Sequence, residues 1–165
     1  MSSASLTLEK ILTLLAEGPA RIAQSTAGLT ETQLHAAPGP EEWSANEVLA
    51  HLRSCADVWG SCILTILNLD NPTIRAVNPR TWIKGTDYLE QDFQPSLRSF
   101  SVQREELLTV LEPLAPRAWS RYARVTGAGK ALERTVQTYA ESIAIHERPH
   151  LKQINRIAST LQKKL

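Results

Sequence analysis

Apolar residues recur at steps of three and four along four long segments of this chain, at about residues 6–27, 44–69, 95–113 and from 135 to near the C-terminus. That spacing places them on one face of an α-helix and favours helices that pack together by these faces. No segment shows the strict alternation typical of a strand. We therefore predict an all-α fold, a four-helix bundle with a long crossover connection.

Residues that cap or interrupt helices mark the expected boundaries. Ser44, followed three residues later by Glu47, forms a capping-box pattern at the start of the second segment. Pro19 lies inside the first segment and predicts a kink there. The stretch 70–94 contains Asn-Pro twice and little periodicity, and we interpret it as the crossover. Together the segments make a single domain, residues 1–165.

Composition excludes several classes of protein. A 165-residue chain buries roughly two-thirds of its unfolded surface, so neither disulfides nor a structural metal is needed for its core. Its 18 basic and 17 acidic residues are not concentrated, which argues against nucleic acid as a partner. No run approaches the roughly 20 apolar residues that cross a bilayer, and no secretion signal is evident. We expect a cytoplasmic protein, with Cys55 and Cys62 too far apart on one helix to form a disulfide.

The four histidines are the residues best suited to chemistry. His146 and His150 are separated by four residues, so both imidazoles lie on one helical face, within the apolar stripe of the last segment. His51 lies in the apolar stripe of the second segment, whereas His35 is expected to face solvent. Because a bundle brings inward faces together, His51, His146 and His150 are candidate ligands of one divalent metal ion. The alternative is that each is a core histidine with a satisfied hydrogen bond.

The motif His146-Glu147-x-x-His150 also matches the signature of zinc proteases, in which the glutamate is a general base. We reject that interpretation because residues 151–165 offer no third His, Asp or Glu ligand and Pro149 interrupts the motif. Glu147 lies about 100° around the helix from His146. It is accordingly predicted to be a solvated or ion-paired surface residue.

Two longer motifs add a family resemblance. The segment 42–52, EWSANEVLAHL, resembles the second-helix signature of the DinB/YfiT superfamily, and the segment 143–154, IAIHERPHLKQI, resembles its last-helix signature. The spacing between them, with Asp87-Tyr88 and Trp119 before a glycine loop, is similar as well. The resemblance covers nearly the whole chain.

This resemblance implies a four-helix bundle, often a homodimer, with His51, His146 and His150 as ligands of nickel, zinc or a similar divalent ion. It further implies a metal-dependent enzyme that acts on a small electrophilic substrate. Related proteins include S-transferases that use a low-molecular-weight thiol such as bacillithiol or mycothiol, an isomerase, and proteins described as hydrolases. The alternative function is a non-catalytic metal-binding or partner-binding module. Dimer formation would involve the first and third long helices.

Several neighbours of these histidines have two interpretations each. Pro149 predicts a kinked last helix that continues beyond the proline. Cys55, one turn after His51, is a neighbour of the metal or, as we favour, a small core residue. Glu47 caps its helix or accepts a hydrogen bond from His51, and Arg148 binds an anionic thiol or is simply exposed. Pocket-lining or packing roles are both open for three aromatic residues, Trp59, Trp82 and Tyr88.

Overall fold

A computed structural model of the chain describes residues 4–164 and contains four long helices. The two longest begin and end close to the predicted boundaries, which confirms the helical periodicity as the main structural signal. The helices in chain order are α1 (Leu8–Thr26), α2 (Glu31–Leu34), α3 (Ala45–Asn68), α4 (Pro79–Trp82), α5 (Phe93–Leu111), α6 (Pro116–Trp119) and α7 (Val136–Gln162).

Local sequence explains where α3 begins. The Ser44 hydroxyl accepts a hydrogen bond from the Glu47 amide at 3.1 Å, and the Glu47 carboxylate accepts one from the Ser44 amide at 2.7 Å. This reciprocal capping box satisfies two amides that the first helical turn leaves without partners. Two roles were predicted for Glu47, and the structure shows the capping role, with the side chain exposed.

The chain is not strictly all-α, because three short strands form a small sheet. Strand β1 (Thr73–Arg75) pairs in parallel with β2 (Tyr122–Thr126), and β2 pairs antiparallel with β3 (Leu132–Thr135). The strands have three to five residues, too few for an alternating pattern to stand out in the sequence. The sheet therefore corrects the all-α prediction.

The crossover is also more ordered than its sequence suggests. Besides β1 it contains α4 and a single turn of 3₁₀-helix, Ile83–Gly85. Helix α5 begins at Phe93, before the proline at position 95, because a proline in the first helical turn removes an amide that has no partner there. The crossover is thus held by pairing of β1 with β2 at one end and by contacts of α4 with α3 near its middle.

The core consists of two apolar clusters separated by a polar layer. Helix α7 packs against both α1 and α3 and contributes to both clusters. On each of α1, α5 and α7, the residue between the clusters is small or charged: Gly18, Arg104 and Glu147, respectively. Within residues 4–164, none of the helices has the length and apolar character of a membrane-spanning segment.

Glu147 lies in this polar layer, not on the surface. It is 3% exposed and its carboxylate accepts hydrogen bonds from the guanidinium of Arg104, which is 2% exposed. The prediction of a surface glutamate is wrong because α7 packs on more than one side. The prediction also allowed an ion pair, and Glu147 does form one with Arg104, but that pair is buried.

Pro19 leaves the carbonyl of Leu15 available as an acceptor in the same layer. A proline has no amide hydrogen, so the carbonyl four residues earlier in the helix, that of Leu15, lacks its usual donor. Nη1 of Arg104 donates to this carbonyl at 2.8 Å. The absence of a side chain at Gly18 makes room for the Glu147 carboxylate, since a Cβ atom there would lie 2.9 Å from Oε2 of Glu147. Both α1 and α7 continue as helix through their prolines.

Candidate metal centre

The three inward histidines meet where α3 and α7 pack together. The centres of their rings lie 5.2 Å apart for His51 and His146, 5.0 Å for His51 and His150, and 4.7 Å for His146 and His150. His51 is 7% exposed, and the other two are half-buried. His35 is exposed after α2, as expected from its loop sequence, and takes no part in this cluster.

The Nε2 atoms of His51 and His146 lie 3.0 Å apart. This separation suits a hydrogen bond between one protonated and one unprotonated ring nitrogen. It is also close to the roughly 3.3 Å between two nitrogens that bind one zinc ion tetrahedrally at about 2.0–2.1 Å. The geometry therefore fits a shared cation without large movement of either ring.

His150 is oriented by a residue on its own helix. Its Nδ1 lies 2.9 Å from Oε1 of Gln153, and because an amide oxygen only accepts, Nδ1 carries the proton. Nε2 is then the unprotonated nitrogen. Metal-ligating histidines typically donate their second nitrogen to such an acceptor, which fixes the tautomer and the ring angle. Three imidazoles are a donor set suited to zinc, nickel and similar ions. In this cluster the ligand atoms that all lie within 4.8 Å of one another are those of His51, Cys55 and His146, so the His150 ring would have to approach them to complete a three-histidine set.

Cys55 lies beside the cluster, one turn after His51 on α3. Its Sγ is 3.6 Å from Nε2 of His51, and ligand atoms of His51, Cys55 and His146 all lie within 4.8 Å of one another. The thiol is buried, and burial raises its pKa to about 12. Without a bound cation the sulfur is therefore a neutral thiol, so both interpretations of Cys55 fit the geometry.

Burial keeps the imidazoles of His51 and His146 neutral. It lowers the pKa of His51 to about 4, with further lowering by positive charge on His150, His146 and Arg80. Burial is also the largest cause of the lowered pKa of His146, followed by the charges of His150 and Arg80. Neutral imidazole is the form that binds metal ions, so protons compete weakly for these two side chains at neutral pH.

Comparison with known proteins places this chain in a family. A sequence model described as the DinB superfamily matches residues 14–154. The chain belongs to the DinB superfamily. No curated protein sequence matches it.

One solved structure similar to this DinB-superfamily chain is YfiT from Bacillus subtilis. The two share 19% sequence identity with a TM-score of 0.79, over 96% of this chain and 90% of that one. YfiT is described as a probable metal-dependent hydrolase with an unusual four-helix bundle topology. At this identity the likeness establishes that the DinB chain shares the YfiT bundle.

Aromatic rings enclose the histidines of this DinB bundle on two sides. Trp43 lies edge-on to His51, with ring centres 5.4 Å apart, and is stacked nearly parallel to His150 at 6.4 Å. Trp59 meets the ring of His146 edge-on at 5.3 Å. For Trp59 the sequence left pocket-lining and packing roles open, whereas Trp43 was not singled out. Its position directly before the Ser44 cap was the available signal.

Trp82 and Tyr88, the other two aromatic residues with two open roles, attach the crossover to α3. The Trp82 indole and the Tyr88 hydroxyl donate to the same carboxylate oxygen of Asp57 on α3, at 3.1 and 2.6 Å. They line a separate cavity of about 440 Å³ beside Asp57, whose lining does not include the three histidines. Asp57 and Gln153, which hold the crossover and His150 in place, were both missed because single polar residues carry no distinctive pattern.

The lowered pKa of His51 predicts a pH-dependent stability of the metal-free protein. Between pH 6.5 and about 4 this side chain stays neutral in the folded state and becomes protonated in the unfolded chain. The unfolded state then binds more protons, so stability falls with falling pH. We expect a loss of roughly 2–3 kcal/mol from this group between pH 7 and pH 4.5, measured by urea unfolding. In His51→Gln the loss should be smaller by that amount; an equal loss in both proteins would contradict the assignment.

Proposed function

We propose that the chain is a divalent-metal-dependent enzyme acting on a small electrophilic substrate, with His51, His146 and His150 as the metal ligands. The convergence of three inward imidazoles, with ring centres 4.7–5.2 Å apart, carries this proposal. Three protein ligands are typical of catalytic zinc sites, which leave a position open for water or substrate. The reaction is hydrolysis or transfer to a low-molecular-weight thiol.

The metal would lower the pKa of a water molecule or thiol at that open position. The protein's own side chains supply the surroundings. Gln153 holds the His150 ring with Nε2 unprotonated, and Trp43 and Trp59 shield the imidazoles from solvent. Shielding strengthens electrostatic interactions inside the site. Hydrolysis is further supported by the description of the structural relative YfiT as a probable metal-dependent hydrolase.

A non-catalytic metal-binding module is the second candidate function. It is favoured by the hydrogen bonds that already occupy the two carboxylates nearest in sequence to His51 and His146. Glu147 is buried against Arg104, and Glu47 is bonded to the Ser44 amide. Neither carboxylate is free to act as a general acid or base.

Turnover by the metal-loaded protein distinguishes these two functions. We expect zinc- or nickel-loaded protein to cleave activated esters or amides, or to couple a small thiol to an alkylating substrate. His150→Ala should lower the rate by at least about 100-fold while the metal-free protein remains folded. Absence of turnover in both assays, with one bound metal per chain, would contradict the enzymatic proposal and leave the binding module.

Cobalt spectroscopy distinguishes two sets of ligands. If His150 is the third ligand, Cys55→Ser should keep cobalt affinity within a few-fold of wild type, and the wild-type spectrum should lack a thiolate-to-cobalt charge-transfer band. His150→Ala should then weaken binding strongly. The opposite pattern, with loss of affinity in Cys55→Ser alone, would assign the site to His51, Cys55 and His146, whose ligand atoms all lie within 4.8 Å of one another.

A further inference from the structure

A cavity of about 330 Å³ opens directly beside His150 and Trp43. Its volume is in the range of small-molecule sites. Its lining comes from three separate parts of the chain: the turn before α3, helix α4 and the second half of α7. The cavity therefore joins the crossover to the helix that holds two of the three histidines.

Two arginines face this cavity without a partner of opposite charge. Arg80 comes from α4 and Arg156 from α7. Neither guanidinium belongs to any of the ion pairs formed among residues 4–164. A guanidinium presents several donors in one plane and binds carboxylates in a two-bonded arrangement. Both side chains are exposed, so their guanidinium groups are accessible to an anion that enters the cavity.

Contacts through Trp43 connect this charge to the histidines. The Arg80 guanidinium carbon lies 5.7 Å from the centre of the Trp43 ring, and that ring is stacked on His150. An anion held by Arg80 would thus be separated from the imidazole of His150 by the Trp43 ring. His150 itself lines the same cavity, so the other end of a small molecule bound there would lie beside a candidate metal ligand.

Acidic residues limit which anions fit. Glu41 and Glu42 also line the cavity, so its four charged side chains sum to zero. Because these charges cancel, the second negative charge of a dianion such as phosphate gains little attraction to offset its larger desolvation cost. A singly charged carboxylate has a smaller desolvation cost and can still pair with the arginines. The combination favours a monocarboxylate.

We propose that this cavity binds the carboxylate of a small-molecule substrate, through Arg80 and Arg156, and so presents the rest of that molecule to the histidine cluster. The role in catalysis rests on the proposed metal-dependent function. Binding of the carboxylate itself does not, because the arginines belong to the folded chain whether or not a metal is bound.

Titration of the metal-free and zinc-loaded full-length protein with butyrate tests this site. The indole ¹H–¹⁵N signal of Trp43, assigned by comparison with Trp43→Phe, should shift and reach saturation. In Arg80→Gln/Arg156→Gln the butyrate affinity should fall by at least about tenfold. Arg148→Gln is the matched control, since Arg148 is exposed on α7 and does not line the cavity. It should bind butyrate like wild type.

The outcomes separate this proposal from the proposed function. Equal butyrate affinity in the double variant and wild type would overturn the site, as would tighter binding of inorganic phosphate than of butyrate. Loss of butyrate affinity in Arg148→Gln alone would place the anion at Arg148, outside this cavity, and would also overturn the proposed site. Butyrate binding by a protein that takes up no zinc would support the carboxylate site and contradict the metal-dependent function.

Discussion

Glu147→Leu is expected to lower the free energy of unfolding of the metal-free protein by about 3–5 kcal/mol, as measured by urea or guanidinium denaturation. The substitution removes the carboxylate that neutralises Arg104, and both side chains are almost completely buried. An unpaired charge left between two apolar clusters is far more costly than the loss of an exposed ion pair. Burial raises the pKa of Glu147 and the charge of Arg104 lowers it, so the carboxylate depends on its partner to offset the cost of desolvation.

The double variant Arg104→Met/Glu147→Leu is the control for this prediction. It removes both charges and should recover more than half of the lost stability. Recovery should be incomplete because the Leu15 carbonyl loses its donor. If the leucine variant does not fold, Glu147→Gln retains an acceptor oxygen and should show part of the effect. A single-variant loss below about 1 kcal/mol would mean that water reaches this layer.

His51→Ala should weaken zinc or nickel binding by at least about 100-fold. Changing only the outer partners of metal ligands typically costs about 10–100-fold, so loss of a ligand should exceed that range. His51 is the ligand contributed by α3, and without it the remaining two histidines both belong to α7. Competition with a chromophoric chelator measures the affinity, and elemental analysis of protein without a histidine tag gives the stoichiometry.

His35→Ala is the matched control because His35 is exposed and lies outside the cluster. Its metal content should equal that of wild type, at one ion per chain. Unfolding of metal-free His51→Ala shows whether the fold survives the substitution. One tightly bound ion in His51→Ala, or none in wild type, would contradict the assignment of these three ligands.

The sequence was most informative where a pattern extends over many residues. Periodic apolar residues predicted the four long helices, and the reciprocal Ser44–Glu47 pattern predicted the start of α3. The four-residue separation of His146 and His150 predicted a shared face. That His51 meets this face depends on helix packing, which the sequence indicated only through the inward position of all three side chains.

Features that depend on the meeting of distant segments were not predictable. Glu147 was assigned to the surface from its angle around one helix, but α7 packs against both α1 and α3 and so buries a wider arc. The cavity beside His150 brings Arg80 from an aperiodic crossover to Arg156 on α7. No local pattern relates those two arginines, and the three-residue strand that helps to hold the crossover is too short to recognise.

The proline inside α1 has a consequence for stabilisation by protein engineering. Replacement of an interior helical proline by alanine ordinarily improves helix propensity by about 3 kcal/mol. At position 19 the restored amide would share the Leu15 carbonyl, which now accepts from Arg104 at 2.8 Å. A shared carbonyl binds each donor less strongly, so the Arg104 guanidinium would keep only Glu147 as an unshared acceptor. A design method that scores each helix separately would therefore select a substitution that weakens the centre of the protein.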